Sequence, residues 1–149
     1  MSLAITRSIE VGVPPARAFE AFTVEMPLWF VKHPHSFSGP REGLGLRFEP
    51  GLGGRIVEIW DEATGEGYDT GRITAWDPGR RFAFEYRSAY LPPEPLTEVE
   101  VRFEPIAAGT RVTLEHRGFE KLPPKLFEDW KGRAWKLLVQ WFAAWCARR

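Results

Sequence analysis

The stretch that decides the fold is the last one, residues 123–149, which reads PPKLFEDWKGRAWKLLVQWFAAWCARR. Apolar residues recur in it at spacings of three and four, which is typical of one face of an α-helix. They are Leu126, Trp130, Ala134, Leu137, Trp141 and Trp145, with a second apolar row beside them at Phe127, Trp135, Leu138 and Phe142. A helix that is apolar over so much of its circumference needs other structure wrapped around it. We therefore predict one long C-terminal helix gripped by the preceding chain.

The sequence of the preceding chain predicts mainly short strands, which would form the sheet around this helix. Apolar and polar residues alternate over 3–13, 97–103 and 111–117, as in strands with one buried and one solvated face. Further strands are predicted over 46–48, 55–60, 68–76 and 81–87. Turn sequences such as Asp77-Pro78-Gly79 join neighbouring strands as hairpins, so we expect an antiparallel sheet.

Two short helices are predicted between the first strand and the second. Pro14-Pro15 ends the first strand and suits the first turn of a helix that runs through Phe22; a second helix lies near 27–31. The fold class is therefore α+β: a curved antiparallel sheet of about six to seven strands around a long C-terminal helix. We expect a single domain over 1–149. The sequence does not decide which face of the hairpin over 55–76 points inward, because both of its faces carry apolar residues.

Composition excludes several classes of function. The formal net charge is zero and no run of like charge stands out, which argues against a nucleic-acid partner. Cys146 is the single cysteine, so no internal disulfide forms. The sequence has neither a signal segment nor an apolar run long enough for membrane insertion, and we expect a cytoplasmic protein. Asn is absent and Arg outnumbers Lys by 15 to 5, which predicts a thermophilic origin, although a GC-rich genome would also favour Arg.

Several segments, taken in their order and spacing, resemble one known family. They are residues 5–11 followed by 14–23, then 28–30, 53–58, 71–86 and 109–119. Each segment alone is a weak motif, but together they cover nearly the whole chain. The chain resembles the SRPBCC superfamily, with its START-like helix-grip fold, and within it the group of homologues of the activator of heat-shock protein 90 ATPase.

The resemblance implies a deep apolar cavity between the sheet and the last helix. Relatives use such cavities for lipids, polyketides and other hydrophobic ligands, and some cyclise or dehydrate substrates there. Eukaryotic relatives bind the middle domain of the chaperone and stimulate its ATPase. The family has no invariant catalytic set, so the resemblance carries over no catalytic residue, and no cofactor is expected.

The residues expected to line the cavity are mostly rings on inward strand positions and on the last helix. They are Trp29, Phe48, Phe84, Tyr86, Phe103, His116, Leu137 and Trp141. His116 shares the inward face of its strand and would contact the ligand or move a proton, although a hydrogen-bonded or solvated histidine at a strand end is the favoured interpretation. The Tyr86 hydroxyl would anchor a ligand, with an ordinary core tyrosine as the plainer alternative.

Other polar residues give no metal or catalytic site. His33 and His35 are too few for a metal site, and no other ligand lies near them in sequence. Carboxylates such as Glu98, Glu100 and Glu115 fall on outward strand faces, where solvation explains them.

Three functions follow from these observations. The first is non-catalytic binding of a hydrophobic small molecule or lipid. The second is a cyclase- or dehydratase-like enzyme with Tyr86 or His116 as acid or base. The third is a protein-interaction module, either a homodimer or a chaperone partner, which predicts a collapsed cavity.

Overall fold

One antiparallel sheet of seven strands dominates the computed structural model, which describes residues 3–30 and 45–148. The strands are β1 (Ala4–Val11), β2 (Leu46–Phe48), β3 (Arg55–Ile59), β4 (Gly67–Asp77), β5 (Arg81–Tyr86), β6 (Thr97–Ile106) and β7 (Gly109–Arg117). Their order across the sheet is β1-β7-β6-β5-β4-β3-β2. The first strand in sequence therefore pairs with the last, while the others follow one another as neighbours.

Helices cover the concave face of this sheet. They are α1 (Pro15–Phe22), α2 (Met26–Trp29), a 3-10 turn (Phe119–Lys121), α3 (Pro124–Trp130) and α4 (Lys136–Ala147). This arrangement confirms the predicted helix-grip fold. No helix within the described residues has the length and apolar character needed to cross a membrane.

The C-terminal helix differs from the prediction because it is two helices. A break over residues 131–135 separates α3 from α4, and Trp135 at its end has a φ of 71°. This left-handed conformation is uncommon for a residue with a side chain. The sequence period does not reveal the break, because apolar residues keep their three- and four-residue spacing across it.

One face of α4 carries its contact with the sheet. Leu138, Val139, Phe142 and Cys146 are its buried residues. The ring of Phe142 lies 4.8 Å from that of Phe22 and 5.8 Å from that of Trp29. Helices α1, α2 and α4 thus share one aromatic core above the sheet.

A polar link fixes α4 against the first two helices. The Trp145 indole Nε1 donates a hydrogen bond to Oε1 of Glu25 at 2.8 Å, and Oε2 of Glu25 pairs with Nη1 of Arg17 at 2.6 Å. Trp145 is half-buried. Trp145 therefore contacts its own chain.

The convex face of the sheet carries a network of ion pairs. Arg117 reaches the carboxylates of Glu98, Glu100 and Glu115, and Arg102 also pairs with Glu100. Burial works to raise the pKa of Glu100, but its hydrogen bond and charge pairing with Arg117 outweigh this effect, and the pKa is lowered overall. These outward carboxylates lie where the alternation predicted them.

Candidate functional site

The space between the sheet and α4 is a small apolar void. Its volume is about 20 Å³, which is room for about one water molecule. Its lining comes from α1, α2, four strands and the α3–α4 region: Phe22, Met26, Ile56, Thr70, Phe84, Tyr86, Leu114, Trp135 and Leu138. The deep cavity implied by the resemblance is thus closed in this conformation.

Aromatic side chains fill one end of the concave face. We call this set the aromatic end: Phe19, Phe48, Trp76, Phe82 and Phe103. Phe19 lies over the strands, with its ring centroid 5.0 Å from Trp76 and 5.3 Å from Phe103. Phe48 on the edge strand lies 6.2 Å from Phe82. Among these five side chains, only the indole of Trp76 can form a hydrogen bond.

Polar side chains gather at the opposite end, where β3, β5 and β7 end and β4 and β6 begin. We call this set the polar end: Glu58, Tyr68, Thr70, Tyr86, Thr97 and His116. Five of the six are buried, since only Tyr68 is half-exposed. A buried polar group costs free energy unless it is hydrogen-bonded, so this concentration of such groups in one place requires an explanation.

Strand register shows that Glu58 faces inward. Residues directly opposite each other on neighbouring antiparallel strands share a face of the sheet. Ile56 lies opposite Phe48, and Glu58 lies opposite Leu46 on β2 and Tyr68 on β4. Because Phe48 belongs to the concave side, Glu58 does too, and it is 0% exposed.

Glu58 is the site residue that the sequence interpretation missed. Carboxylates were expected on outward faces, and for Glu58 this expectation is wrong. The sequence does not decide which face of this hairpin is inward, because apolar residues occur on both of its sides. Pairing with the short strand β2 decides the question, and that pairing is not visible in the sequence.

Tyr86 lies at the centre of the polar end. Burial raises the pKa of its phenol well above the usual value, a hydrogen bond with Ser88 lowers it, and the neighbouring Tyr68 and Glu58 raise it further. The hydroxyl is therefore protonated at any physiological pH. It serves as a hydrogen-bonding group and is a poor general base.

His116 is a neutral, fully buried histidine with both ring nitrogens engaged. Its Nδ1 accepts a hydrogen bond from the Trp135 indole Nε1 at 3.0 Å, so the ring proton is on Nε2, which lies 2.8 Å from Oγ1 of Thr97. Rings enclose it, with Tyr86 at 4.8 Å and Phe119 at 4.6 Å. Burial lowers the pKa of His116 to about 3, so it carries no charge near neutral pH.

The break between α3 and α4 lies over this polar end. Trp135 lies 5.2 Å from Tyr86 between ring centroids, and Trp130 lies 6.2 Å from it. Arg7 on β1 donates hydrogen bonds from Nη2 to the carbonyl of Lys131 at 2.7 Å and from Nε to that of Ala134 at 3.0 Å. Helix α3 itself has no buried residue. The two hydrogen bonds from Arg7 and the ring contacts of Trp130 and Trp135 therefore attach this segment to the sheet.

Five of the predicted lining residues lie on the concave face of the sheet. Phe84 and Tyr86 line the void, Phe48 and Phe103 belong to the aromatic end, and His116 belongs to the polar end. For His116, the hydrogen-bonded alternative describes its environment.

The three predicted lining residues on helices are not among the residues that line the void. The Trp29 indole is buried and donates to the carbonyl of Ala21 at 2.7 Å, and Trp141 is half-buried against Phe30. Leu137 is 41% exposed, so its predicted inward position is wrong. The turn at Trp135 sets the rotation of α4, and Leu138 takes the inward position instead.

Metal ligands and the thiol of Cys146 are the remaining groups with possible site chemistry. His33 and His35 lie outside the described residues. Within 3–30 and 45–148, His, Cys, Asp and Glu side chains form no group that would hold a metal ion. Cys146 is buried, and desolvation raises the pKa of its thiol to about 11, so it is not a reactive thiolate.

Comparison with known proteins identifies the family. The family model described as activator of Hsp90 ATPase homolog 1-like protein matches residues 12–142. The chain belongs to this family. No curated protein matches it.

Solved structures of low identity share the fold of this family member. A protein from Mesorhizobium loti superimposes with a TM-score of 0.67 at 17% identity, covering 98% of each chain. One from Nitrosomonas europaea gives 0.67 at 19% identity, covering 98% of this chain and 95% of its own. An AHSA1-like protein from Aeromonas hydrophila gives 0.60 at 17% identity, covering 98% and 93%. At these identities the likeness extends to the fold alone.

Proposed function

We propose that this protein binds a hydrophobic small molecule or lipid between the concave sheet and α4, without catalysing a reaction. The observation that carries the proposal is the void, which is lined by apolar side chains and bordered at one end by buried hydrogen-bonding groups. An apolar site with a few placed polar groups is the usual design of a ligand pocket. Apolar burial would drive affinity at about 25 cal/mol per Å² removed from water.

Binding requires the void to enlarge, and the α3–α4 segment is the part that would move. Helix α3 buries no residue, and the left-handed Trp135 marks a joint between the two helices. Small movements of α3 would open the polar end while Phe142 keeps α4 attached to the core. The chemistry of the site argues for binding rather than catalysis, because neither the buried neutral His116 nor the protonated Tyr86 accepts a proton readily at neutral pH.

The proposal is tested first by native mass spectrometry of the purified protein, followed by denaturing extraction and lipid analysis. A hydrophobic molecule at near one-to-one occupancy is the expected result. A matched pair of variants then locates it. Leu138→Phe fills the void, while Leu137→Phe adds the same ring to the exposed neighbouring position.

Occupancy should fall at least about tenfold in Leu138→Phe and remain unchanged in Leu137→Phe, because only the first occupies the ligand's space. Circular dichroism and thermal melts confirm that both variants fold. Equal occupancy in the two variants would place the ligand elsewhere. A ligand-free protein that also fails to take up an apolar fluorescent probe would contradict the proposed function.

The second candidate is a protein-interaction module, and the small volume of the void favours it. The matching family is described by activation of an Hsp90 ATPase, so such a chaperone is the first partner to test. Stimulation of ATP hydrolysis by an Hsp90-type chaperone, together with light scattering for a homodimer, separates this candidate from ligand binding. The cytoplasmic location stays a prediction.

A further inference from the structure

The outward face of α4 carries little charge along its length. The buried side of this helix lies around Phe142. The exposed residues, which we call the outer strip, follow one another at helical spacing on the opposite side: Lys136, Leu137, Gln140, Ala144, Ala147 and Arg148. A helix on a protein surface usually presents charged and polar side chains to water, whereas a helix that is apolar over most of its circumference is covered. The composition of the outer strip is therefore that of a contact surface.

The charges on and next to the outer strip along the chain are all positive. Residues 130–149 contain five basic side chains and no aspartate or glutamate, although the formal net charge of the whole chain is zero: Lys131, Arg133, Lys136, Arg148 and Arg149. Lys131 pairs with Glu128 on α3. Among the described residues, Lys136 and Arg148 form no ion pair with a carboxylate. The outer strip thus has a positive charge at each end and apolar side chains between them.

The spacing of these two charges suits a flat anionic surface. Lys136 and Arg148 lie at the two ends of α4, 12 residues or about 18 Å apart along the helix. Long basic side chains lay their alkyl stems along apolar surface and keep the charge in water. A helix that lies along a membrane buries apolar side chains such as Leu137 below the head groups, while its Lys and Arg side chains contact anionic lipids.

The same charges argue against a second copy of this chain as the occupant. If two outer strips packed antiparallel, Lys136 of one copy would face Arg148 of the other. If they packed parallel, like residues would face each other at both ends. Either pairing brings positive charges together, which is unfavourable. Charge complementarity therefore favours an anionic surface over self-association.

We propose that the outer strip of α4 docks this protein on the surface of membranes that contain anionic phospholipid. Lys136 and Arg148 would contact the phosphate groups, and Leu137 would enter the boundary between head groups and acyl chains. The protein would lie on the membrane without spanning it. This inference goes beyond the proposed function and does not depend on it, because docking uses the outside of α4 and the proposed ligand site lies beneath it.

The test is co-sedimentation with vesicles at low salt, comparing pure phosphatidylcholine with phosphatidylcholine that contains about 30% phosphatidylglycerol, an anionic lipid. The first variant is the double substitution Lys136→Glu, Arg148→Glu. Its matched control is Arg80→Glu, Arg111→Glu, which changes the net charge equally at two exposed arginines outside α4. Leu137→Gln tests the apolar contact, and Leu52→Gln makes the same change at an exposed leucine in the turn between β2 and β3.

The wild type should bind the anionic vesicles at least about tenfold more tightly than the neutral ones, and about 0.5 M salt should release it. The double variant in α4 should bind at least about tenfold more weakly than wild type, because each basic residue near an anionic surface contributes about fivefold, while its control should stay within about threefold. Leu137→Gln should bind at least about threefold more weakly, and Leu52→Gln should match the wild type.

Several results would overturn the inference. They are equal or absent binding to the two kinds of vesicle, an equal loss in both double variants, and unchanged binding of Leu137→Gln, which would show attraction by charge alone. Dimers in light scattering that the α4 variants disrupt, without vesicle binding, would assign the outer strip to a second copy. Circular dichroism checks that each variant folds. If the double variant in α4 does not fold, the wild-type preference for anionic vesicles and the Leu137→Gln result decide.

Discussion

His116 shows at the scale of one residue how burial fixes a protonation state. Its two nitrogens are already used by Trp135 and Thr97, and protonating Nδ1 would break the bond to the indole. The unfolded chain binds a proton on this ring below a pKa of 6.5, whereas the folded chain does so only near 3. The unfolded state therefore carries more protons between these values, and stability falls as pH falls through this window.

We predict that His116→Phe removes this part of the pH dependence. The free energy of unfolding, measured with urea at several pH values between about 7 and 4, should decrease more steeply in the wild type, by up to about 1.4 kcal/mol per pH unit. The stability difference between the two proteins therefore shrinks, or reverses, in acid. A difference that stays constant with pH would show that His116 titrates alike in both states.

Among the hydrogen-bond partners of His116, the Trp135 indole is the one whose removal should lower the stability of the protein most. Trp135→Phe keeps a ring but leaves Nδ1 of His116 without its donor, which should cost about 1–3 kcal/mol in unfolding free energy. Trp130→Phe is the control, since Trp130 packs against the same cluster by ring contacts. A double-mutant cycle with His116→Phe should give a coupling of at least about 1 kcal/mol. Additive effects would contradict the indole–imidazole bond.

Arg7 acts at the scale of elements because one strand residue holds the joint between two helices. The alternation of β1 placed Ile5 and Ile9 inward, and Arg7 lies on the same face between them. Its guanidinium spans the carbonyls of Lys131 and Ala134, where α3 ends. Strand and helix are thus joined by hydrogen bonds that neither segment would make alone.

Arg7→Met should loosen α3 while leaving the sheet intact. Amide hydrogen exchange of peptides over 122–135 should become at least about tenfold faster, because the joint loses two charge-assisted hydrogen bonds. Exchange in β6 and β7 should stay as in the wild type. Arg111→Met is the control, since Arg111 pairs only with the exposed Glu10 among the described residues. Unchanged exchange in α3 would mean that packing alone holds it.

Phe142 connects the elements at the scale of the whole molecule. Its ring touches those of Phe22 and Trp29, so α4 is held to α1, α2 and, through Phe22, to the sheet. Phe142→Ala should lower the free energy of unfolding by about 3–5 kcal/mol, while Leu137→Ala should lower it by less than about 1 kcal/mol. Urea denaturation measures both. Similar losses in both variants would contradict the orientation of α4 in which Phe142 is buried and Leu137 is exposed.

The thermophilic origin expected from composition also belongs to the whole molecule, and it stays a prediction. The scarcity of amides and the excess of arginine predict a melting temperature above the range of about 45–65 °C in which mesophilic domains cluster. Differential scanning calorimetry measures it directly. A Tm inside that range would leave base composition of the genome as the explanation for the arginine content.

The order of elements was predictable because it depends on local periodicity. Alternation in β1, β6 and β7, the turn at Asp77-Pro78-Gly79 and the apolar C-terminal stretch each determine their own segment within a few residues. The resemblance of several segments to a known family then predicted how these elements are arranged, as a helix-grip fold. The extent of the domain over 1–149 stays a prediction.

The strands, the covering helices and the inward rings of β5 and β6 were predictable from the sequence, since each of these follows from which side of a short segment is apolar. Tertiary structure alone decided three features of the site: the break at Trp135, the exposure of Leu137 and the inward carboxyl of Glu58. Each depends on a partner far away in the chain, namely Arg7 and His116 for the break and strand β2 for Glu58. Local periodicity carries no information about such pairings, and it is these pairings that give the concave face its polar end.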